Sequence, residues 1–285
     1  MLIHINSDKM ILEGKTLKYK ILDSLKEKVS KLSIKPTLVV IQVGNDEASN
    51  VYVKEKGKMC EYVGYGFKHI KLDSNITTLE LVDIINKYNM DNSVFGILVQ
   101  MPLPKQIDVN VVQNAISYKK DVDGLTDINM GSLVHNKKCL VPCTPKGIIE
   151  LLKYYNIPIK GKDVTIVGRS NLVGKPLVNL FLNEDATVSI CHSNTSDLSK
   201  YTSSCDILVV AVGKKHLINK SMVKEGTTII DVGINRNNGK LCGDVCYDEV
   251  NDICNITPVP GGVGQMTIAM LASNIYEAYN LSKER

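Results

Sequence analysis

The sequence predicts an α/β protein of two domains, each built around a mostly parallel sheet. Apolar runs of strand length alternate with helical patterns along most of the 285-residue chain, as expected when helices connect parallel strands. Residues 121–144, punctuated by glycine and proline, interrupt this alternation. A second alternating series follows, and its first strand runs directly into a turn of glycine and serine. We therefore expect one α/β domain on each side of the interruption.

Hydrophobic periodicity places the elements of both series. In the first series, strands are predicted at 37–43, 67–72 and 94–100, with helices at 48–62 and 78–88. In the second, helices are predicted at 146–155 and 174–182, with strands at 163–168, 187–191, 206–212 and 228–232. A final amphipathic helix, 266–281, is long enough to return to the first domain. The predicted domains are therefore 1–140, completed by 266–285, and 141–265.

Composition and charge exclude several classes of protein. With 44% hydrophobic and 22% charged residues, the chain is typical of a globular protein rather than a disordered one. No apolar run approaches the ~18–20 residues of a membrane-spanning helix, so no membrane is expected as a partner. The net charge of +4 is modest and the basic residues are not interleaved with aromatics, which argues against nucleic acid as a partner. A small anionic substrate or cofactor fits this charge at least as well.

The N-terminus and the cysteines bear on location. Asp8 and Lys9 stand where a signal peptide needs an apolar centre, so we predict no export signal and a cytoplasmic protein. Without export, the eight cysteines do not predict disulfides. Zinc is possible by number alone, but no Cys-x-x-Cys occurs, and Cys191 and Cys205 fall within or beside apolar strand patterns. We interpret those two as core residues and expect no metal.

The turn after the strand at 163–168 resembles a phosphate-binding loop. Gly168 and Gly174 leave the backbone open, so amide groups at the start of the next helix can approach a pyrophosphate. The spacing departs from Gly-x-Gly-x-x-Gly, because Ser170 replaces the second glycine and the last lies one residue further on. An ordinary strand–helix turn therefore remains an alternative. Its position at the head of an alternating series favours a Rossmann-type dinucleotide-binding domain.

The end of the strand at 187–191 indicates which dinucleotide is bound. An NAD site usually has an Asp or Glu about 20 residues after the glycine loop, to bind the adenosine ribose. No acidic residue follows Cys191 directly, whereas Arg169 and the hydroxyl of Ser193 could receive a 2′-phosphate. We therefore predict NADP, with NAD as the alternative.

Polar residues in the first domain form a second candidate constellation. Tyr52 and Lys56 are four residues apart on a predicted helix and share one face. Gln100 ends a buried strand, at the carboxyl edge where open α/β sheets bind ligands. Asp121 and Asp123 place two carboxylates in the loop that follows. Solvated lysines and a capping aspartate would be the purely structural interpretation.

Taken in order along the chain, these motifs resemble the bifunctional methylenetetrahydrofolate dehydrogenase/cyclohydrolase family. The resemblance covers about residues 36–275 and rests on Tyr52-x-x-x-Lys56, GILVQMPLP at 96–104, DVDG at 121–124, CTPKG at 143–147, GRSxxVGxP at 168–176 and PVPGGVG at 258–264. The chain departs from the family's usual residues at Ser132, Asn194 and Gln265, where arginine, lysine in some relatives, and proline are expected.

The resemblance implies a role for each candidate residue. Lys56 would be the catalytic base or proton carrier and Gln100 its hydrogen-bonding partner, while Tyr52 would orient the folate and Asp123 would bind the amino-pyrimidine edge of the pterin. The catalytic set is thus Lys56, Gln100, Tyr52 and Asp123. Further folate-binding residues would be Pro260, Gly261 and Gly262. Dinucleotide-binding residues would be Gly168, Arg169, Ser170, Gly174, Ser193, Gly213 and Ile234.

The activity implied by the resemblance has two steps. 5,10-Methylenetetrahydrofolate would be oxidised with NADP⁺ to the methenyl form, which would then be hydrolysed to 10-formyltetrahydrofolate. The enzyme would be a homodimer joined through the second domain. A monofunctional NAD-dependent dehydrogenase is one alternative, and a catalytically silent folate- or dinucleotide-binding protein is another. A dehydrogenase of another small metabolite would not explain the first-domain motifs.

Overall fold

The computed structural model describes residues 9–237 and 239–284. These residues form two compact units. The first unit contains Lys18–Lys146 and 267–284, and the second contains 9–17 and Gly147–Met266. Most of the segment on which the absence of an export signal was predicted, residues 1–8, lies outside the described residues. Within them, no helix has both the length and the apolar character needed to cross a bilayer.

Helices and strands alternate through both units. Up to Lys146 the chain forms α1 (Gly14–Ser30), β1 (Thr37–Val43), α2 (Glu47–Val63), β2 (Gly66–Leu72), α3 (Thr78–Met90), β3 (Val94–Gln100), α4 (Val109–Ala115), α5 (Asp127–Val134) and the start of α6 (Cys143–Tyr154). It continues with β4 (Asp163–Val167), α7 (Gly174–Asn183), β5 (Thr187–Cys191), α8 (Ser199–Thr202), β6 (Ile207–Val210), β7 (Thr228–Asp231), β8 (Asn235–Asn237), β9 (Lys240–Cys242), α9 (Tyr247–Val250), β10 (Asn255–Ile256) and α10 (Val263–Leu281).

The sheet of the first unit is parallel, with the order β2-β1-β3 among the described residues. β1 and β3 are apolar along nearly their whole length because both of their faces are buried. Beyond β3, Asp121 pairs with Ile97 in a parallel bridge, and Ile97 N donates to Lys120 O at 2.8 Å. The loop after α4 therefore runs beside β3 towards its carboxyl end.

The sheet of the second unit is also parallel and has the order β10-β7-β6-β4-β5 among the described residues. Numbered within the unit, this is the doubly wound order 2-1-3-4-5, in which ligands bind where the strand order reverses. The reversal lies between β4 and β6, which are hydrogen-bonded neighbours. The second half of α10 returns to the first unit, where Ala272 O accepts a hydrogen bond from Tyr65 Oη at 2.9 Å. The predicted fold class is confirmed.

Several predicted boundaries were wrong. α5 forms inside the stretch predicted as loop, because the side chain of Thr126 caps it by accepting from Asn129 N. α6 and α10 begin at Cys143 and Val263 rather than at 146 and 266, so Gln265 lies inside the first turn of α10. β6 is shorter than predicted, and α1 and the β8–β9 hairpin were not predicted.

The cysteine interpretation is confirmed for the second unit. Cys191 and Cys205 are 1% and 2% exposed and belong to the core between β6 and its neighbours. Both are free thiols. They therefore serve as small apolar residues of the core.

Candidate active site

The structure brings Lys56 and Gln100 together. Lys56 Nζ donates a hydrogen bond of 2.7 Å to Gln100 Oε1, although the residues are far apart in sequence. Gln100 Nε2 in turn donates to Met101 O at 2.7 Å. This second bond fixes which way the Gln100 amide faces, so its oxygen points at the amine.

Local structure sets the position of the helix that carries Lys56. Asp46 caps the N-terminus of α2 by accepting from Ser49 N at 2.7 Å, and the left-handed Gly64 ends the helix. Ser49 Oγ also donates to Met101 O at 3.1 Å, which ties the first turn of α2 to the residue after Gln100. The first turn of α2 is therefore fixed by the Asp46 cap and by the hydrogen bond of Ser49 to the residue after β3.

Asp123 approaches the same end of β3. Asp121 pairs in parallel with Ile97, and Asp123 follows it in a turn closed by a hydrogen bond of 2.9 Å from Gly124 N to Asp121 O. Its neighbour Gly124 has a φ of +68°, a conformation that side chains with a Cβ rarely adopt. The turn there is thus specified by the sequence, and it leaves Asp123 partly exposed.

The charges of Lys56 and Asp123 influence each other. Burial lowers the pKa of Lys56, while the Asp123 carboxylate and the Cys143 thiol partly offset this effect. Burial raises the pKa of Asp123, while Lys56 opposes that rise and Asp121 adds to it. The hydrogen bond of the Lys56 amine goes to Gln100, and Asp123 acts on the amine through its charge. The amine can therefore lose its proton more readily than an exposed lysine, and the carboxylate is not occupied by it.

Tyr52 lies one turn before Lys56 on α2, as the spacing predicted. Its side chain is 47% exposed. A large aromatic face at that exposure is available to pack against a planar ligand, which is the role that the resemblance assigned to it.

Three more residues lie around this group, and of these the sequence analysis missed only Asn274. Asp121 is fully buried and its Oδ2 accepts from Thr126 N and Asn129 Nδ2, so it serves the structure of the α5 turn. Cys143 is buried, and its Sγ donates to Val122 O at 3.3 Å. Asn274 of α10, also buried, donates to Val122 O and Val141 O. A single asparagine in the otherwise apolar stripe of the terminal helix was the available signal for the last of these.

In the second unit, Gly168 and Gly174 form a tight turn between β4 and α7. A Cβ at Gly174 would overlap the carbonyl oxygen of Gly168, and a Cβ at Gly168 would overlap that of Ala211. Gly168 also has a φ of +128°. Both positions therefore require glycine, and the backbone at the reversal of strand order stays free of side chains, as a pyrophosphate site needs.

Candidate groups for the adenosine phosphate lie on the surface of the second unit. Arg169 and Ser193 are exposed, and no carboxylate occurs among residues 192–196 after β5. Ser193 Oγ makes only a long contact of 3.5 Å, to Asn194 Oδ1. Ser170 is less free, because its Oγ accepts from Val173 N at 3.1 Å, within the turn that precedes α7.

The remaining predicted residues also belong to the second unit. Gly213, with a φ of +65°, follows β6, and Ile234, 55% exposed, follows β7. Pro260 and Gly261 stand at the surface before α10, where Gly261 O accepts from Gly14 N at 2.9 Å. Gly262 is buried, and a Cβ there would contact Pro258 O.

Comparison with known proteins gives one consistent result. Family models match as the catalytic domain (residues 12–123) and the NAD(P)-binding domain (residues 142–283) of tetrahydrofolate dehydrogenase/cyclohydrolase. The bifunctional protein FolD of Agathobacter rectalis is 52% identical over 94% of this chain and 98% of its own.

Solved structures agree. The bifunctional FolD methylenetetrahydrofolate dehydrogenase/cyclohydrolase of Campylobacter jejuni is 48% identical, covers 95% of this chain and 99% of its own, and has a TM-score of 0.94. The Trypanosoma brucei enzyme, solved with NADP and an inhibitor, is 32% identical over 97% of this chain and 99% of its own, with a TM-score of 0.92. This chain therefore belongs to the tetrahydrofolate dehydrogenase/cyclohydrolase family.

Proposed function

We propose that this chain oxidises 5,10-methylenetetrahydrofolate with NADP⁺ and then hydrolyses the methenyl product to 10-formyltetrahydrofolate. The observation that carries the proposal is the hydrogen bond of 2.7 Å from Lys56 Nζ to Gln100 Oε1. The lysine held by this bond has a pKa lowered by burial, and the nearby Asp123 carboxylate can bind the pterin. The relatives named as bifunctional retain about half of the residues of this chain over nearly its whole length.

The oxidation needs orientation more than acid–base chemistry. Bound NADP⁺ would supply the acceptor for the hydride that leaves the folate carbon. The turn of Gly168 and Gly174 would hold its pyrophosphate, and Arg169 its 2′-phosphate. Asp123 accepts two hydrogen bonds from the amino-pyrimidine edge of the pterin, and the face of Tyr52 packs against the ring system. These contacts fix the reacting carbon in place.

The hydrolysis needs proton transfers, and Lys56 performs them. The neutral amine takes a proton from water as the oxygen adds to the methenyl carbon. The resulting ammonium returns that proton to the ring nitrogen while the carbon–nitrogen bond breaks, and the hydroxyl proton leaves to solvent as the formyl group forms. Gln100 Oε1 holds the amine in place throughout.

An absorbance assay tests the proposal directly. Formation of the methenyl product is followed with NADP⁺ and with NAD⁺ at equal concentration, and its decay is followed after the dinucleotide is removed. Formation with NADP⁺ and enzyme-dependent decay are expected. Formation without decay would indicate a monofunctional dehydrogenase, and the absence of both would indicate a binding protein.

Replacing Arg169 with alanine should weaken the binding of NADP⁺ by about 1–3 kcal/mol, because a charge-assisted hydrogen bond to the 2′-phosphate is lost. The binding of NAD⁺, which lacks that phosphate, should change much less. Titration calorimetry with both dinucleotides measures the difference. The matched control is Lys160→Ala, which removes an exposed cation before β4 at the other end of the sheet. Equal weakening for both dinucleotides would contradict this role.

The proposal includes a homodimer joined through the second unit. β5 is an edge strand of the five-stranded sheet, and Ile190 on it is 39% exposed. An exposed apolar edge strand favours association. Sedimentation equilibrium should give twice the mass of the chain, and Ile190→Glu should shift it towards the monomer. A wild-type chain that sediments as a monomer would contradict the dimer.

A cytoplasmic location is also proposed. The described cysteines are free thiols, in agreement with a reducing compartment.

A further inference from the structure

Two buried carboxylates in the second unit have no part in the proposed chemistry. Asp231 ends β7 and is 3% exposed, and Asp244 follows β9 and is fully buried. Isolated charges at such depth are costly, so their presence calls for specific partners. Neither residue belongs to any of the motifs that the sequence analysis singled out.

Asp244 makes its hydrogen bonds to two different loops. Its Oδ2 accepts from Val212 N at 2.8 Å and from Gly213 N at 3.0 Å, in the turn after β6. Its Oδ1 accepts from Asn235 Nδ2 at 2.9 Å, in the segment after β7. One carboxylate therefore ties together the turns that leave two neighbouring strands.

Asp231 holds Asp244 in place. Its Oδ1 accepts from Asp244 N at 2.9 Å and from Gly233 N at 3.1 Å, and its Oδ2 accepts from Val245 N at 3.0 Å. A Cβ at Gly233 would overlap the Asp244 carboxylate, and one at Gly243 would overlap that of Asp231. The two carboxylates thus fit only where the chain has glycine, which indicates a fixed arrangement.

The turn that Asp244 holds lies at the reversal of strand order. β6 borders the reversal, and Ala211, which precedes Val212, provides the carbonyl oxygen against which Gly168 packs. The residue after Val212 is Gly213, and the residue before Asn235 is Ile234. The family resemblance assigns both residues to the dinucleotide, and we include that assignment in the proposed function.

We propose that Asp244 is a positioning residue for the dinucleotide: its carboxylate fixes the turns that carry Gly213 and Ile234 in the shape that NADP⁺ binds. The inference rests on the proposed function, because that function assigns Gly213 and Ile234 to the cofactor. Asp244 does not touch the cofactor in this scheme. It acts by holding backbone amides and Asn235 that would otherwise be free to rearrange.

The test compares Asp244→Ala with Asp244→Asn. Alanine removes all three hydrogen bonds. Asparagine keeps one oxygen, which can still accept from Val212 N and Gly213 N. Its NH₂ group can donate to Asn235 Oδ1 once the Asn235 amide has rotated by 180°. The control is Asp206→Asn. Asp206 directly precedes β6, at the end of the strand opposite Val212 and Gly213, and its carboxylate accepts from Lys224 Nζ at 3.1 Å.

Three quantities are measured for each variant: the Kd of NADP⁺ by calorimetry, the rate of methenyl hydrolysis without dinucleotide, and Tm. Asp244→Ala is expected to raise the Kd roughly 10- to 100-fold, and Asp244→Asn by a smaller factor. Hydrolysis should stay within about twofold of wild type, because Lys56, Gln100 and Asp123 lie in the first unit. A residue with only a structural role would lower Tm and both activities together, without rescue by asparagine.

The outcomes separate this inference from the proposed function. If the wild-type chain binds NADP⁺ and both Asp244 variants bind it equally well, only the inference fails. If the wild-type chain does not bind NADP⁺, the proposed function and the inference both fail. If Asp244→Ala does not fold, the test uses Asp244→Asn and Asn235→Ala instead. If both of these variants bind NADP⁺ with the same Kd as the wild-type chain, the inference is overturned.

Discussion

Replacing Lys56 with methionine is expected to reduce methenyl hydrolysis by about 10²–10⁴-fold, the usual contribution of a positioned acid–base group. Methionine keeps most of the apolar stem but cannot carry a proton. Formation of the methenyl product with NADP⁺ should remain measurable, because hydride transfer itself moves no proton to or from water. Single-turnover absorbance measurements of both steps compare the two activities.

The control for Lys56 is Lys54→Met, which removes an exposed lysine from the same helix. Equal loss of both activities in the folded Lys56 variant would show that the lysine serves binding or hydride transfer. Full retention of hydrolysis would remove it from the mechanism.

The pH dependence of hydrolysis should report the same lysine. Because burial lowers the pKa of Lys56, the neutral amine becomes abundant at a lower pH than for an exposed lysine. The rate should therefore rise with pH through that pKa, and this rise should be absent in Lys56→Met. The Asp123 carboxylate raises the pKa of Lys56, so its removal should move the rise to lower pH.

Replacing Asp123 with alanine should raise the folate KM and depress both activities together. Holding the pterin is a requirement shared by the two reactions, and leaving its donors unpaired costs about 1–3 kcal/mol. Steady-state kinetics of each reaction measure the loss. Asp127→Ala, an exposed acid in the first turn of α5, serves as the control.

Asp121→Ala should behave differently from Asp123→Ala. It removes the acceptor of Thr126 N and Asn129 Nδ2, so it should lower Tm first and activity only as a consequence. Unchanged kinetics for Asp123→Ala would show that Asp123 belongs to the loop structure alone.

Sequence patterns predicted the central strands well, because a strand that is buried on both faces appears in the sequence as a continuous run of apolar residues. β1 and β3 have the predicted bounds, since each is a short apolar run that ends at polar residues or a turn. α5 was missed because it is only one or two turns long and is specified by its cap, Thr126, rather than by an apolar face. The pattern of hydrophobic residues does not record such helices.

The candidate site was predictable only in part. The four-residue spacing of Tyr52 and Lys56 and the strand-end position of Gln100 indicated a shared location, since those follow from periodicity. Asp121 and Asp123, by contrast, are identical residues two positions apart, and nothing local distinguishes them. The difference arises from Thr126 and Asn129, which occupy one carboxylate and not the other. Asp244 was not predicted because its partners, the backbone amides of Val212 and Gly213 and the side chain of Asn235, are polar groups that hydrophobic periodicity does not reveal.

The glycine turn and the tip of β5 divide the dinucleotide site into a rigid part and an adaptable part. Gly168 and Gly174 are locked by backbone packing, so substitution there disrupts the turn itself. Ser193 and Asn194 are exposed, and Ser193 Oγ lies 3.5 Å from Asn194 Oδ1. In the proposed site, substitutions at Ser193 or Asn194 can therefore change the surroundings of the 2′-phosphate without altering the backbone turn of Gly168 and Gly174. The side chains that would select the dinucleotide are thus separable from the backbone that would bind its pyrophosphate.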